Sequence, residues 1–285
     1  MTSRIAIGAR LLAPSGTDRR CCSAALALLA LVAACGGGGS PTTPAPPPPT
    51  VPASSACGAI TQSVSPSTAI VNGADCSTDN SPVVLLNIKD ASGAQAGSCS
   101  GTVIAARAIL TAAHCLQPPA ASVLVFLGSG PQQTASSFAA HPSWRESSPA
   151  QFDVGVVLMP ADIGRAPKPL LLSRDARAGE TAVISGWGKD SGAGVASTLR
   201  AGTATIVGVT SLTLQTTSST TASSVCQGDS GGPIFVQEAG TWAIAGVISA
   251  NSTLACSFGD NLYAAVRAAD NMSFILGRVP DAARK

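Results

Sequence analysis

The chain is short of charge and of rings: 11% of its 285 residues are Asp, Glu, Lys or Arg, and 4% are aromatic. A net charge of +2 provides no basic face for gripping phosphate backbones, which excludes a nucleic-acid binder of that kind. Two histidines, and cysteines without paired CxxC spacing, argue against a zinc enzyme or a structural zinc site. No fixed-period repeat is present, which disfavours a solenoid or propeller. What is there is 45% hydrophobic, too much for a disordered chain, and long enough to bury one large core or two small ones. With few rings, that core must be made of Val, Ile, Leu and Ala, and 29 glycines supply turns, a mixture that favours short strands.

The N-terminal region carries Arg4, Arg10, Arg19 and Arg20 before an apolar run from Ala24 to Ala34, which reads as an export signal over residues 1–34. The run is too short for a permanent membrane span. Val32-Ala33-Ala34-Cys35 resembles a bacterial lipobox, which would make Cys35 an acylated N-terminus anchored in the outer membrane or at the cell surface. Ordinary signal cleavage near the same alanines, with the domain released, is the alternative. Residues 35–56, rich in Gly and then Pro, read as a tether, and residues 57–69 as a propeptide-like segment. Outside the signal region remain Cys57, Cys76, Cys99, Cys115, Cys226 and Cys256, an even number that in an exported chain favours disulfides.

From Ile70 onward short apolar runs follow one another, among them 83–88, 103–110, 123–127, 154–158, 181–185, 203–209, 234–236 and 242–249, each bounded by Gly, Pro, Ser or Asn. This predicts an all-β sandwich or barrel, with a helix only over 268–278.

Two segments carry chemistry. Cys226-Gln227-Gly228-Asp229-Ser230-Gly231-Gly232-Pro233 offers a hydroxyl on a glycine-permitted tight turn, with the Gly228 and Ser230 N–H groups able to converge on an oxyanion. Thr111-Ala112-Ala113-His114-Cys115 offers an imidazole to take the hydroxyl proton. Asp153, at the head of the apolar run Val154–Leu158, is a buried acid in want of a partner, whereas Asp162 and Asp175 lie among loop-like residues.

GDSGGP with TAAHC resembles the signature pair of the chymotrypsin family, and the order His114, Asp153, Ser230 is that family's order. The resemblance spans roughly residues 70–278, giving a protease domain over 70–285. It implies two six-stranded antiparallel Greek-key β-barrels with the active site between them and a short C-terminal helix. It implies a serine endopeptidase working through an acyl-enzyme on protein or peptide substrates, as a monomer without a cofactor. It assigns His141, in His141-Pro142-Ser143-Trp144, and Trp187, in Ile184-Ser185-Gly186-Trp187-Gly188, to structure. It pairs Cys99 with Cys115 and Cys226 with Cys256, which by exclusion leaves Cys57 with Cys76. The loop Gly128 to Ser137 lacks calcium-binding acids, so no metal is expected.

Ile70-Val71-Asn72-Gly73 resembles the N-terminus of a mature family protease. Cleavage after Ala69, by another protease or by the enzyme itself, would free an Ile70 ammonium to pair with Asp229. Ala69 is not basic, so a trypsin-like activator is not expected. The same matching places Ser224 at the base of the specificity pocket, Asn251 and Asn261 at its wall, and the backbone of Ser249 to Asn251 along the substrate-pairing strand, which implies a small or apolar residue before the scissile bond. A one-residue shift would put Asp260 in the pocket and favour basic residues. The rival function is a noncatalytic binding lipoprotein on the same scaffold.

Overall fold

The computed structural model describes residues 56–60, 70–148, 150–189, 198–218, 222–253, 256 and 258–285. The export signal, Cys35, the tether before residue 56 and Ala69 lie outside the described residues. Among those described, no helix is long and apolar enough to cross a membrane.

The first group of strands comprises β2 (Val83–Lys89), β3 (Gln95–Ala105), β4 (Ala108–Thr111), β5 (Ser122–Phe126), β6 (Gln133–Thr134), β7 (Ser137–Ala140) and β8 (Gly155–Leu158), joined in the order β6-β5-β2-β3-β4-β8-β7. β6 pairs with β5 and β7 with β8, and between them Ala135 N donates to Val123 O and Ser136 N to Leu158 O. β6 and β7 are thus one bent run crossing from β5 to β8, which turns seven segments into a closed ring of six.

The second group comprises β9 (Thr181–Gly186), β10 (Arg200–Val209), β11 (Thr213–Thr217), β12 (Pro233–Glu238), β13 (Thr241–Asn251) and β14 (Asp260–Ala265). β9 pairs with both β10 and β12, closing this ring as well. β1 (Ala74–Asp75) is a seventh strand added to the outside of β10. Counted within each ring, the order is first, second, third, sixth, fifth, fourth in both, so the halves share one Greek-key path. Closure removes free sheet edges, which a chain of so little charge has few other means of protecting.

The predicted run 103–110 is a correction in detail: it breaks at Ala106-Arg107 into the end of β3 and the start of β4, because a barrel wall needs the turn that an unbroken strand would deny it. The helix α1 spans Ala269–Arg278. Aliphatic packing does most of the filling, with Leu86, Ile109, Leu110, Val125 and Val157 in the first half and Ile184, Ile206, Ile234 and Ile248 in the second. Trp187 closes against Phe126 with rings 5.9 Å apart and donates its indole N–H to Val83 O, so one of the few large rings ties the halves together.

Residues 56–60 are not a loose leader. Ala56, Cys57 and Ala59 are fully buried in the core beside Ala74, Cys76 and Leu199, and Cys57 is bonded to Cys76.

Candidate active site

His114 opens a single 3-10 turn (His114–Leu116) directly after β4, behind the fully buried Ala112 and Ala113. Only small side chains fit there, which explains the two alanines before the histidine. The Cys99–Cys115 disulfide pins this turn to β3. Closing so short a loop is worth roughly 3 kcal/mol in chain entropy.

Asp153 is held by a different device. Phe152, immediately before it, has φ 58°, a left-handed conformation that a bulky residue rarely adopts. Its ring stacks on His141, 5.2 Å away, and His141 in turn packs against Phe274 of α1 at 4.9 Å. The buried His141 accepts a hydrogen bond from Ser143 N at Nδ1, and its burial lowers its pKa. The second histidine is therefore a packing residue that helps hold the backbone turn delivering Asp153.

The fully buried Asp153 carboxylate accepts three hydrogen bonds: from His114 N to Oδ1 at 2.9 Å, from Ser249 Oγ to Oδ2 at 2.5 Å, and from His114 Nδ1 to Oδ2 at 2.7 Å. A carboxylate so placed can only accept, so it fixes the proton on Nδ1 and leaves Nε2 free to act as a base. Ser249, expected to contact substrate, lines the neighbouring cleft but gives its hydroxyl to Asp153. That hydrogen bond joins residues 96 positions apart and left no trace in the local sequence.

The Ser230 turn shows why its glycines are needed. A Cβ on Gly231 (φ 84°) would lie 2.1 Å from Thr111 Oγ1 and 2.3 Å from Ser100 O. A Cβ on Gly188 would lie 2.3 Å from Asp229 Cγ. Gln227 O accepts from Lys189 N at 2.9 Å. The Gln227–Gly228 peptide is trans, so the Gly228 N–H is directed away from Lys189.

Two clefts meet at Ser230. One, of about 230 Å³, is lined by Val225, Gln227, Ile248 to Asn251 and the Cys226–Cys256 disulfide. The other, of about 290 Å³, brings His114, Gly228 and Ser230 together with Ile88, the Cys99–Cys115 disulfide and Pro119. The sulfurs near His114 are consumed in that disulfide and are not metal ligands.

Ser224 and Asn261 are fully buried behind the first cleft. Asn251 Nδ2 reaches across to Asn261 Oδ1 at 2.9 Å, and Ser224 Oγ bonds Asn261 Oδ1 at 3.1 Å and Ser218 Oγ at 2.7 Å. Expected at the pocket's base, Ser224 is thus covered, and Asn251 forms the wall that the cleft meets first. The register of β14 pairs Asn261 with both Thr216 and Asn251, while Asp260 bonds Thr217 Oγ1 on the outer side. The alternative with Asp260 in the pocket is therefore corrected: strand side chains alternate, and only one of two neighbours can face inward.

In this intact chain the Ile70 nitrogen belongs to a peptide bond and is no ammonium. The fully buried Asp229 accepts instead from Gly188 N at 2.7 Å and Cys226 N at 2.8 Å. Burial pushes its carboxyl up to about 7 against these two N–H donors and the nearby Arg200 charge. Between an unfolded value of about 4 and the folded value, only the folded state keeps this proton, so stability falls as pH rises across that window and levels off above it. Chemical denaturation of the intact chain should show wild type losing stability relative to Asp229→Asn from pH 4 to 7. Parallel profiles would mean that Asp229 is ionised in the fold.

Two closed six-stranded barrels, with a histidine, a buried aspartate and a glycine-flanked serine brought to clefts shared by both, define a chymotrypsin-like fold with a serine-hydrolase layout. Similarity to known proteins agrees. A profile described as Trypsin matches residues 70–275, and the chain belongs to that family. It is 34% identical to human (Homo sapiens) kallikrein-11 over 53% of this chain and 61% of that one. It is 32% identical to trypsin alpha-4 of Lucilia cuprina over 48% and 62% respectively. The chain thus spans about three fifths of the length of these curated relatives. A solved HL collagenase structure superimposes with a TM-score of 0.63 at 23% identity, covering 74% of this chain and 98% of that one, a likeness of fold.

Proposed function

We propose that the chain is a serine endopeptidase that cleaves protein or peptide substrates through an acyl-enzyme. The observation that carries this reading is the 2.7 Å His114 Nδ1–Asp153 Oδ2 hydrogen bond beside a cleft that also holds Ser230 and Gly228. Ser230 Oγ attacks the scissile carbonyl while His114 Nε2 takes its proton, and Asp153 stabilises the imidazolium that results. The carbonyl oxygen, now negative, accepts from the N–H groups of Gly228 and Ser230. The C–N bond breaks as His114 returns the proton to the leaving amine, and water then hydrolyses the Ser230 ester by the same proton path. A serine-directed phosphonate should label Ser230 stoichiometrically in processed protein. Failure to label would favour a noncatalytic binder.

Small or apolar residues before the scissile bond suit the first cleft, because the Asn251–Asn261 bridge covers Ser224 and no acid is among the described residues that line the wall. Profiling with peptide libraries should give Ala or Val kcat/KM values at least about tenfold above Arg and Lys, a margin of the size pocket shape provides. Asn251→Gly should improve Leu and Met relative to Ala. A wild-type preference for Arg would refute the assignment.

The molecule reads as a tethered zymogen. Ile70 is buried with φ 51°, which for a β-branched residue stores on the order of 1–3 kcal/mol of strain that a cut before it would release. The freed ammonium would meet a buried carboxylate whose charge is supported only by two N–H donors and the nearby Arg200 guanidinium. The Cys57–Cys76 bond would keep everything upstream attached, including a lipid at Cys35 and hence the envelope membrane. An exported, monomeric cell-envelope lipoprotein, matured by an activating protease or by itself, is the resulting assignment.

A further inference from the structure

Ser100 lies on β3, in the first barrel, fully buried and paired across the sheet with Leu85. Its hydroxyl reaches out of that barrel. Ser100 Oγ is 2.9 Å from Trp187 N, at the end of β9 in the second barrel, and 2.8 Å from Gly228 O in the Ser230 loop. The polarity is fixed: a backbone N–H can only donate, so Oγ accepts from Trp187 and its own proton goes to Gly228 O. The backbone of the same residue donates from N to Ser230 O at 2.7 Å, and its carbonyl accepts from Thr111 Oγ1 at 2.8 Å.

We propose that Ser100 is a positioning residue for the oxyanion site, its hydroxyl clamping the Gly228 carbonyl so that the Gly228 N–H stays aimed at the reacting oxygen. This rests on the reading of the chain as a serine endopeptidase. Gly228 has φ 97°, and its two flanking peptides are free to rotate as far as its own side chain is concerned. Each is pinned from outside: the preceding one by Lys189 N on Gln227 O, the following one by Ser100 Oγ on Gly228 O. Both pins come from elsewhere in the fold, and the second comes from the other barrel. Removing the hydroxyl takes the hydrogen bond partner from the buried Trp187 N–H and from the half-buried Gly228 O, a state that rotation of the Gly228 peptides can relieve at the expense of the oxyanion donor.

The test uses the full chain, processed and titrated for active sites, with Ser100→Ala and Ser100→Gly. Both keep the backbone N–H to Ser230 O and add no bulk. For a peptide amide substrate, kcat per titrated site should fall about 10- to 100-fold with KM within about threefold, less than the loss of a whole oxyanion donor. Inhibition by a peptide aldehyde, whose adduct carries the oxyanion, should weaken in proportion, while a noncovalent peptide inhibitor should bind as before. If either folded variant keeps kcat within about twofold, or if aldehyde and noncovalent inhibitor weaken together, Ser100 does not position the donor. If neither variant folds, the hydroxyl is a structural strut and the proposal falls. Wild-type protein that resists phosphonate labelling would instead overturn the protease reading itself.

Discussion

Asp153→Asn should lower kcat/KM by about four orders of magnitude, the size of effect the corresponding change has in the chymotrypsin family, while leaving the fold intact. The cause is a reversed hydrogen bond. The amide that replaces the carboxylate keeps one carbonyl oxygen, and the His114 backbone N–H at 2.9 Å requires it at the Oδ1 position. The new NH2 group then faces His114 Nδ1 and Ser249 Oγ, both of which donate to the carboxylate in the wild type. Nδ1 must become an acceptor, which moves the ring proton to Nε2 and leaves nothing to take the Ser230 proton. Ser249 can turn its hydroxyl to accept, so the buried site stays satisfied and denaturant midpoints should change little. Steady-state kinetics with active-site titration decides the matter: a loss below about tenfold would show that Asp153 does not set the tautomer. Ser249→Ala, which removes one donor but not the tautomer control, should cost far less.

The second large effect concerns attachment. With Cys57 and Cys76 both changed to Ser, processed protein should leave the membrane fraction for the soluble fraction almost completely, whereas processed wild type should follow only after reduction. Residues 56–60 would still pack in the core, but a few buried small side chains bring only about 25 cal/mol per Å² and do not hold a short cut segment for long. Electrophoresis of the processed membrane form with and without reductant gives the same answer by size. Identical mobility under the two conditions, or retention of the double variant, would rule out the disulfide as the tether.

Much of the site was legible because its constraints are local. GDSGGP must make one tight turn against Thr111 and Ser100, and TAAHC must place a ring after two side chains small enough to be buried completely, so both leave dense signatures within a few residues. Asp153 announced itself as an acid before an apolar strand. The alternation of short apolar runs indicated the class of fold and many strand positions; the named runs did not include β6, β7, β11 and β14, and one run held two strands, broken at Ala106-Arg107.

The all-β class and the residues of the candidate site could thus be read from local pattern, since residue identity at short range sets both, whereas the two-barrel architecture was implied by the family resemblance. The rest was settled by packing in three dimensions. The Ser249–Asp153 contact and the Ser100 clamp join residues 96 and 128 positions apart, and no local pattern distinguishes those serines from the many in loops. Pocket composition turned on a single residue of register, with Asn261 inward and Asp260 outward, a choice made by which partners β14 meets on both sides. The state of Asp229 followed the same rule, because its identity fixes a carboxyl group, but only burial against Gly186 and Gly188 raises its pKa, over the opposing pull of two N–H donors. Long-range neighbours set desolvation and hydrogen bonding, and these are the quantities that a linear pattern of residues does not contain.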